Sequence, residues 1–234
     1  MKNLRFAALL ILASIFLCAC GSSTHVPLGA NNYGFSGREV KVVKDIKINS
    51  LQVRHISVED ARCTGGFWDH LELSGPIGPD SSEVVARVLE SMPRCNQATG
   101  RGYFASPVFL NSSGGLLEHG YQLGKTFRKF SVKTHVLEGQ TCASSCAIAF
   151  LGGLYRAMPG RGGQLIFHSP YWKSGASISC PSKEEAKDLN AYYNNFLSTK
   201  DSQFLFDRTM SFCSQSAGWS INADAAKLFG LTTN

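Results

Sequence analysis

The sequence lacks several things that would direct its reading elsewhere. It has no Cys-x-x-Cys pair and no His-x-x-x-His pair, which argues against zinc, and neither a metal nor another cofactor is expected. It has no dense stripe of Lys and Arg, which argues against a nucleic-acid groove. Charged residues make up only 17% and hydrophobic residues 44%, a balance that excludes a wholly disordered chain, a collagen-like rod and a polytopic membrane protein. Its one long apolar run, Phe6 to Leu17, is too short to span a bilayer comfortably. What remains is 234 residues, enough for one domain or a small pair with a real core.

That apolar run follows a short basic region, Met1 to Arg5, and together they match a secretory signal. It ends in Leu17-Cys18-Ala19-Cys20-Gly21, which resembles the lipobox of bacterial lipoproteins. The resemblance implies cleavage before Cys20, its modification by lipid such as palmitate, and anchoring to a membrane. The competing reading is an ordinary signal peptide cut nearby, with Cys20 incidental. Gly21 to Thr24 is small and polar, as a flexible tether should be. The absence of Asp at position 21 points by resemblance to the outer membrane, facing the periplasm. The expected division is a signal over residues 1–19, a tether over 20–44 and a folded domain over 45–234. Losing residues 1–19 removes Lys2, Arg5 and no acid, which brings the formal charge from +6 to +4. A scattered charge of that size reads as solvated surface, so no nucleic-acid partner is expected.

Cys63, Cys95, Cys142, Cys146, Cys180 and Cys213 then remain, an even number suited to an oxidising compartment. Six cysteines allow 15 pairings, and the sequence does not choose among them. Sequence proximity alone suggests Cys63 with Cys95 and Cys180 with Cys213.

Beyond the tether, apolar runs alternate with amphipathic stretches. Phe67 to Leu73 alternates like a strand and stops at Gly75-Pro76. Asp80 followed by Glu83 offers a helix start, and Val84, Val85, Val88 and Leu89 sit at helical spacing up to about Met92. Strands are expected over Pro107–Leu110, Lys133–Leu137 and Gln164–Phe167. Helices are expected from Leu116 to about Phe130, over Ala147–Leu154, after the capping box Ser182–Glu185, and over about Thr199–Phe212. The strand–helix–strand order implies an α/β domain with parallel strands, and no internal repeat is visible.

Three turns rich in glycine or serine follow predicted strands: Asn111 to Gly115, Gly139 to Ser145, and His168 to Pro170. Loops of this kind carry ligands and catalytic groups in α/β folds. Together with Leu73-Ser74-Gly75-Pro76-Ile77 and Leu228-Phe229-Gly230-Leu231, they resemble Clp-type serine peptidases of the ClpP/crotonase superfamily. The likeness is to an extracytoplasmic branch with a Cys-Ala-Ser-x-Cys motif and spans roughly residues 68 to 231. It implies a stacked β-β-α superhelix with parallel strands and C-terminal helices. The family's Asn-Ser-Pro-Gly-Gly loop stands here as Asn111-Ser112-Ser113-Gly114-Gly115, with Ser113 in place of proline.

The resemblance makes Ser144 the nucleophile, with Ser145 as the rival, and His168 the base. Ser144 starts an apolar helix, where free N–H groups and the positive dipole end favour a developing oxyanion. The N–H of Ser145 and a backbone group at Gly114 are the candidate oxyanion donors. The family's aspartate falls near Gly218, which cannot orient an imidazole. Asp201 and Asp207 are substitutes, and a Ser–His dyad or a Ser–Lys dyad through Lys183 or Lys187 stays open. Cys142 and Cys146 bracket Ser144 and either form a disulfide or pack beneath the helix. Tyr171 and Trp172 either wall a cleft or pack in the core, and His119 reads as a surface or packing residue.

Three functions fit: a lipid-anchored serine hydrolase acting on a peptide or protein, a non-catalytic envelope lipoprotein with a binding or assembly role, and an acyl-CoA enzyme. The last is disfavoured, since CoA is unexpected outside the cytoplasm. By resemblance the chain is a candidate homo-oligomer.

Overall fold

The structure is a computed structural model that describes residues 37–96, 105–160, 162–214 and 216–233. The signal segment, Cys20 and the tether up to residue 36 lie outside the described residues. Among the described residues no helix is long and apolar enough to cross a membrane.

The chain enters as an antiparallel meander of β1 (Val40–Ile48), β2 (Leu51–Glu59) and β3 (Phe67–Ser74). β1 starts inside the stretch read as tether. It is exposed or half-buried at every position, so it carries no apolar alternation to betray it. β2 is the reverse, with Leu51, Val53, Ile56 and Val58 buried. From β3 the connections become parallel crossovers. Helix α1 (Ser81–Ser91) leads to β4 (Pro107–Asn111), and α2 (Leu117–Lys129) leads to β5 (Lys133–His135). The six-stranded sheet runs β1-β2-β3-β4-β5-β7, with β7 at Tyr155–Ala157.

A second sheet takes the alternate strands: β6 (Thr141–Ala143), β8 (Gln164–Phe167) and β11 (Trp219–Ile221), in the order β11-β8-β6. The chain therefore gives β5 to one sheet, β6 to the other, then turns into helix α3 (Ser145–Phe150), and β7 and β8 repeat the pattern. This is the stacked β-β-α arrangement with parallel strands. After a hairpin of β9 (Trp172–Ser174) and β10 (Ser177–Ser179), helices α4 (Lys187–Asn194), α5 (Thr199–Met210) and α6 (Ala223–Leu228) complete the chain.

Predicted α1 carries its four named apolar residues buried, yet Asp80 makes no side-chain cap. Asp80 has φ 64°, and Ser81 Oγ instead accepts from the Gly78 N–H. The Ser182–Glu185 box does form reciprocally: Glu185 accepts from the Ser182 N–H at 2.7 Å, and Ser182 Oγ accepts from the Glu185 N–H at 3.3 Å. Helix α3 stops at Phe150, four residues short of expectation, because Gly152 and Gly153 turn the chain towards β7.

Helix α3 is buried throughout, against α2 on one side and the tyrosines of α4 on another. Gly120 makes the α2 contact work, since a Cβ there would lie 2.6 Å from the Ser145 carbonyl oxygen. Tyr192 donates to the Ile148 carbonyl at 3.1 Å, and burial pushes its phenol pKa upward. Arg156 ties the chain end to β7, donating to the Leu231 carbonyl at 2.7 Å. Burial lowers its pKa only to about 10, so it stays charged at neutral pH.

The first sheet also buries imidazoles. Burial lowers the pKa values of His70 and His135, that of His135 to about 3 from 6.5. A ring kept neutral in the folded chain but protonated in the unfolded one favours unfolding as acid is added. Stability should therefore be full above pH 6.5 and fall below it, by about 1.4 kcal/mol per pH unit for His135, down to about pH 3. Urea unfolding across that window should show this slope, and His135→Phe should flatten it. A slope unchanged by the substitution would contradict the assignment.

Candidate active site

Three loops meet because β6 is hydrogen-bonded on both of its sides. On one side Ser112 N–H donates to the Thr141 carbonyl at 2.8 Å, and Ala143 N–H to the Ser112 carbonyl at 2.9 Å. On the other side β6 pairs with β8, and Ser144 N–H donates to the Ile166 carbonyl at 2.8 Å. The glycine loop after β4, the serine turn after β6 and the histidine turn after β8 thus emerge side by side. A fourth segment joins them, as Ile77 N–H donates to the Gly114 carbonyl at 2.7 Å.

Between the loops lies a cleft of about 550 Å3, lined among others by Ser113, Gly114, Ser144, His168 and Tyr171. Ile77, Leu116, Leu117 and Ile148 give it apolar walls. Trp172 is not among its lining residues and is 62% exposed, so Tyr171 alone of the two aromatics walls the cleft.

Ser144 caps α3 with φ 55° and ψ −125°, a left-handed backbone that costs a non-glycine residue about 1–3 kcal/mol. The turn holds because its neighbours leave it no alternative. Cys142 and Cys146, both fully buried, form a disulfide across it with a Cα–Cα separation of 5.2 Å. Gly114 presses against its outer side, where a Cβ would stand 2.6 Å from Ser144 Cβ and 2.5 Å from the Ala143 carbonyl oxygen. Ser145 is fully buried beneath this turn and does not line the cleft. Of the two serines, only Ser144 is placed to meet a ligand there. Disulfides Cys63–Cys95 and Cys180–Cys213 complete the pairing suggested by sequence proximity.

His168 follows β8, half-buried on the cleft wall. Its Nδ1 lies 2.9 Å from the Ser169 carbonyl oxygen. A carbonyl only accepts, so Nδ1 carries the proton and a neutral ring presents its lone pair at Nε2. Ser169 is itself held, its N–H donating to the Phe212 carbonyl at 2.9 Å. Among the described residues no hydrogen bond joins Ser144 Oγ to this ring. The Gly114 N–H is also engaged, donating to Ser112 Oγ at 3.1 Å.

The expected acids are elsewhere. Asp207 is paired with Lys183 at 2.5 Å, and Asp201 accepts from Ser198 at 2.7 Å as part of the α5 cap. Lys183 is thereby also accounted for, and among the described residues no lysine lines the cleft. Trp219 pairs with Phe167, so one step further the register sets Gly218 opposite His168. A Cβ on Gly218 would stand 2.6 Å from Ile166 Cγ2 and 2.9 Å from the Phe167 carbonyl oxygen, so this position has no room for a carboxylate. The Ser169 carbonyl, which no residue type signals, takes up the imidazole instead. His119 bonds to Gln122 on α2, away from the cleft.

Neither a protein-family model nor a curated protein sequence matches the chain. Solved structures do share its fold. One is a serine-to-alanine mutant of the membrane-bound stomatin-specific protease 1510-N, with a TM-score of 0.52 and 14% identity over 69% of this chain and 75% of that one. Another is a lysine-to-alanine mutant of that protease in complex with a substrate peptide, with a TM-score of 0.52 and 15% identity over 69% and 71%. The chain has the ClpP-like α/β fold that these structures share.

The disulfide across the turn gives a direct test. Replacing Cys142 and Cys146 together by Ala opens a short loop and should cost about 2 kcal/mol in urea unfolding. Gly114→Ala should also destabilise, through the contacts at 2.5 and 2.6 Å, while leaving all three disulfides in place by non-reducing mass analysis. A Gly114→Ala protein of unchanged stability would contradict the packing described.

Proposed function

We propose that the chain is a serine hydrolase, acting as a peptidase, in which Ser144 is the nucleophile and His168 the base. The observation that carries this reading is the strained turn that holds Ser144 on the wall of the same cleft as His168. His168 Nε2 takes the Ser144 proton as Oγ attacks the substrate carbonyl carbon. The oxyanion receives the N–H of Ser145, at the start of α3, and that of Gly114, which Ser112 Oγ holds until then. The protonated imidazole then gives its proton to the leaving amine, and water releases the acyl group by the same steps in reverse. The Ser169 carbonyl orients His168 in place of an acid. Catalytic hydrogen bonds commonly tighten only once substrate is bound, which accommodates the unjoined Ser144 and His168. The peptidase class rests on the fold shared with 1510-N. The apolar walls suit an apolar side chain or acyl group.

Residues 1–20 support a companion proposal: export, lipid attachment at Cys20 and residence at the outer membrane, facing the periplasm. Labelling with palmitate, lost in Cys20→Ala, tests it.

A second reading is favoured by one observation, the closure of the acid position at Gly218. It makes the chain a non-catalytic ClpP-like lipoprotein that binds through this cleft. A fluorophosphonate probe separates the two. Hydrolase chemistry predicts covalent labelling at Ser144, abolished in Ser144→Ala and slowed about 100-fold or more in His168→Ala. A folded protein that never labels, and whose Ser144→Ala form keeps its cellular role, would establish the binding reading.

A further inference from the structure

A second cavity, of about 470 Å3, shares no lining residue with the Ser144 cleft. One wall is the face of β1, β2 and β3 that carries Lys41, Lys44, His55, Ser57 and Asp69. The opposite wall is the end of α1, at Ser91, and the residues after it, Pro93 and Arg94. Register explains how the first wall is assembled. Lys41 pairs with Ser57, Ser57 with Asp69, and Lys44 with His55. Lys41 and Lys44 are three residues apart, and a regular strand would send them to opposite faces. The register shifts between Val42 and Lys44, and this bulge returns Lys44 to the face that carries Lys41.

The floor is a buried polar pair. His55 Nε2 lies 2.6 Å from Asp69 Oδ1, with the two side chains 3% and 7% exposed. Further along the same sheet face stand Leu51, Val53, Leu71 and Leu73, all buried in the core. The buried polar pair carries a desolvation cost that apolar packing of the kind found further along this face does not. His55 Nδ1 adds to that cost, being buried with no hydrogen-bond partner among the described residues.

The two walls are joined covalently. Cys63, in the β2–β3 turn, is bonded to Cys95, which follows α1, and Thr64 N–H donates to the Asn96 carbonyl at 2.8 Å. The cavity is therefore preformed. Its rim carries Lys41, Lys44 and Arg94, and among the described residues none of the three is in an ion pair. Lys44 Nζ donates to Ser91 Oγ at 2.7 Å, which places it at the α1 side of the opening. Asp69 is the one carboxylate among the lining residues, and His55 already takes it.

We propose that this cavity binds a phosphate group, presented either as the free anion or as the phosphodiester of a lipid headgroup. Three cations around one opening, none of them in an ion pair among the described residues, with hydroxyl donors at Ser57 and Thr64, match an anion with several acceptor oxygens. The site is independent of the reading of Ser144.

Titration calorimetry of the full chain tests it, with inorganic phosphate in one arm and a soluble glycerophosphodiester in the other, against chloride at matched ionic strength. Saturable binding is expected in at least one arm, weakened about tenfold or more in K41E/R94E. Both changed residues are exposed, so the urea midpoint should hold, and K41Q/R94Q should show a smaller loss in the same direction. Binding of inorganic phosphate alone supports a free-anion site, and comparable or tighter binding of the diester supports a headgroup site. No saturable heat in either arm, or equal affinity in wild type and in both variants, would overturn the proposal.

Discussion

Three backbone hydrogen bonds around a three-residue strand hold the candidate site together. Two run between β6 and Ser112, and one from Ser144 to the Ile166 carbonyl. They place the glycine loop and the histidine turn on either side of the serine turn, and the Asn111 side chain adds to them by accepting from the Thr141 N–H at 3.3 Å. The six-stranded sheet supports one flank through β4, and the three-stranded sheet supports the other through β8. Moving either sheet relative to the other would separate Gly114 from Ser144 and His168, which both follow strands of the three-stranded sheet. The stacking of two sheets along the chain thus determines the cleft.

The strained backbone at Ser144 shows how such a turn persists. A left-handed conformation at a non-glycine residue survives only where its surroundings leave no relaxed alternative. Here the disulfide closes the turn from below, buried α3 continues it, and Gly114 blocks its outer side. Each of these is a packing fact, and together they present one hydroxyl to the cleft while its neighbour Ser145 is sealed beneath.

Much of the fold was legible in the sequence where burial is one-sided. β8, α1, α2 and α5 carry the alternation or helical spacing that one buried face imposes, while β3 and β4, buried on both faces, are marked by their apolar residues and the turns that end them; all six lie within a residue or two of expectation. β1 was not legible, because a strand with no buried position has no pattern to read. The Asp80 cap failed because the backbone there is left-handed, which points the residue away from the helix start. At the site, Ser144, His168 and Gly114 stood out through the loops that follow predicted strands and through the family resemblance those loops carry. The orienting group for His168 did not, because it is the Ser169 main-chain carbonyl, and any residue type supplies one. The cationic cavity was hidden for a related reason. A bulge at Val43 decides which face Lys44 takes, and neither composition nor period records it.

The bond between Cys142 and Cys146 makes the serine turn answer to the redox state around it. It forms only where thiols can be oxidised. In a reducing medium the turn would be held by hydrogen bonds and packing alone, without its covalent closure. Redox chemistry, as well as geometry, is written into two cysteines on either side of one serine.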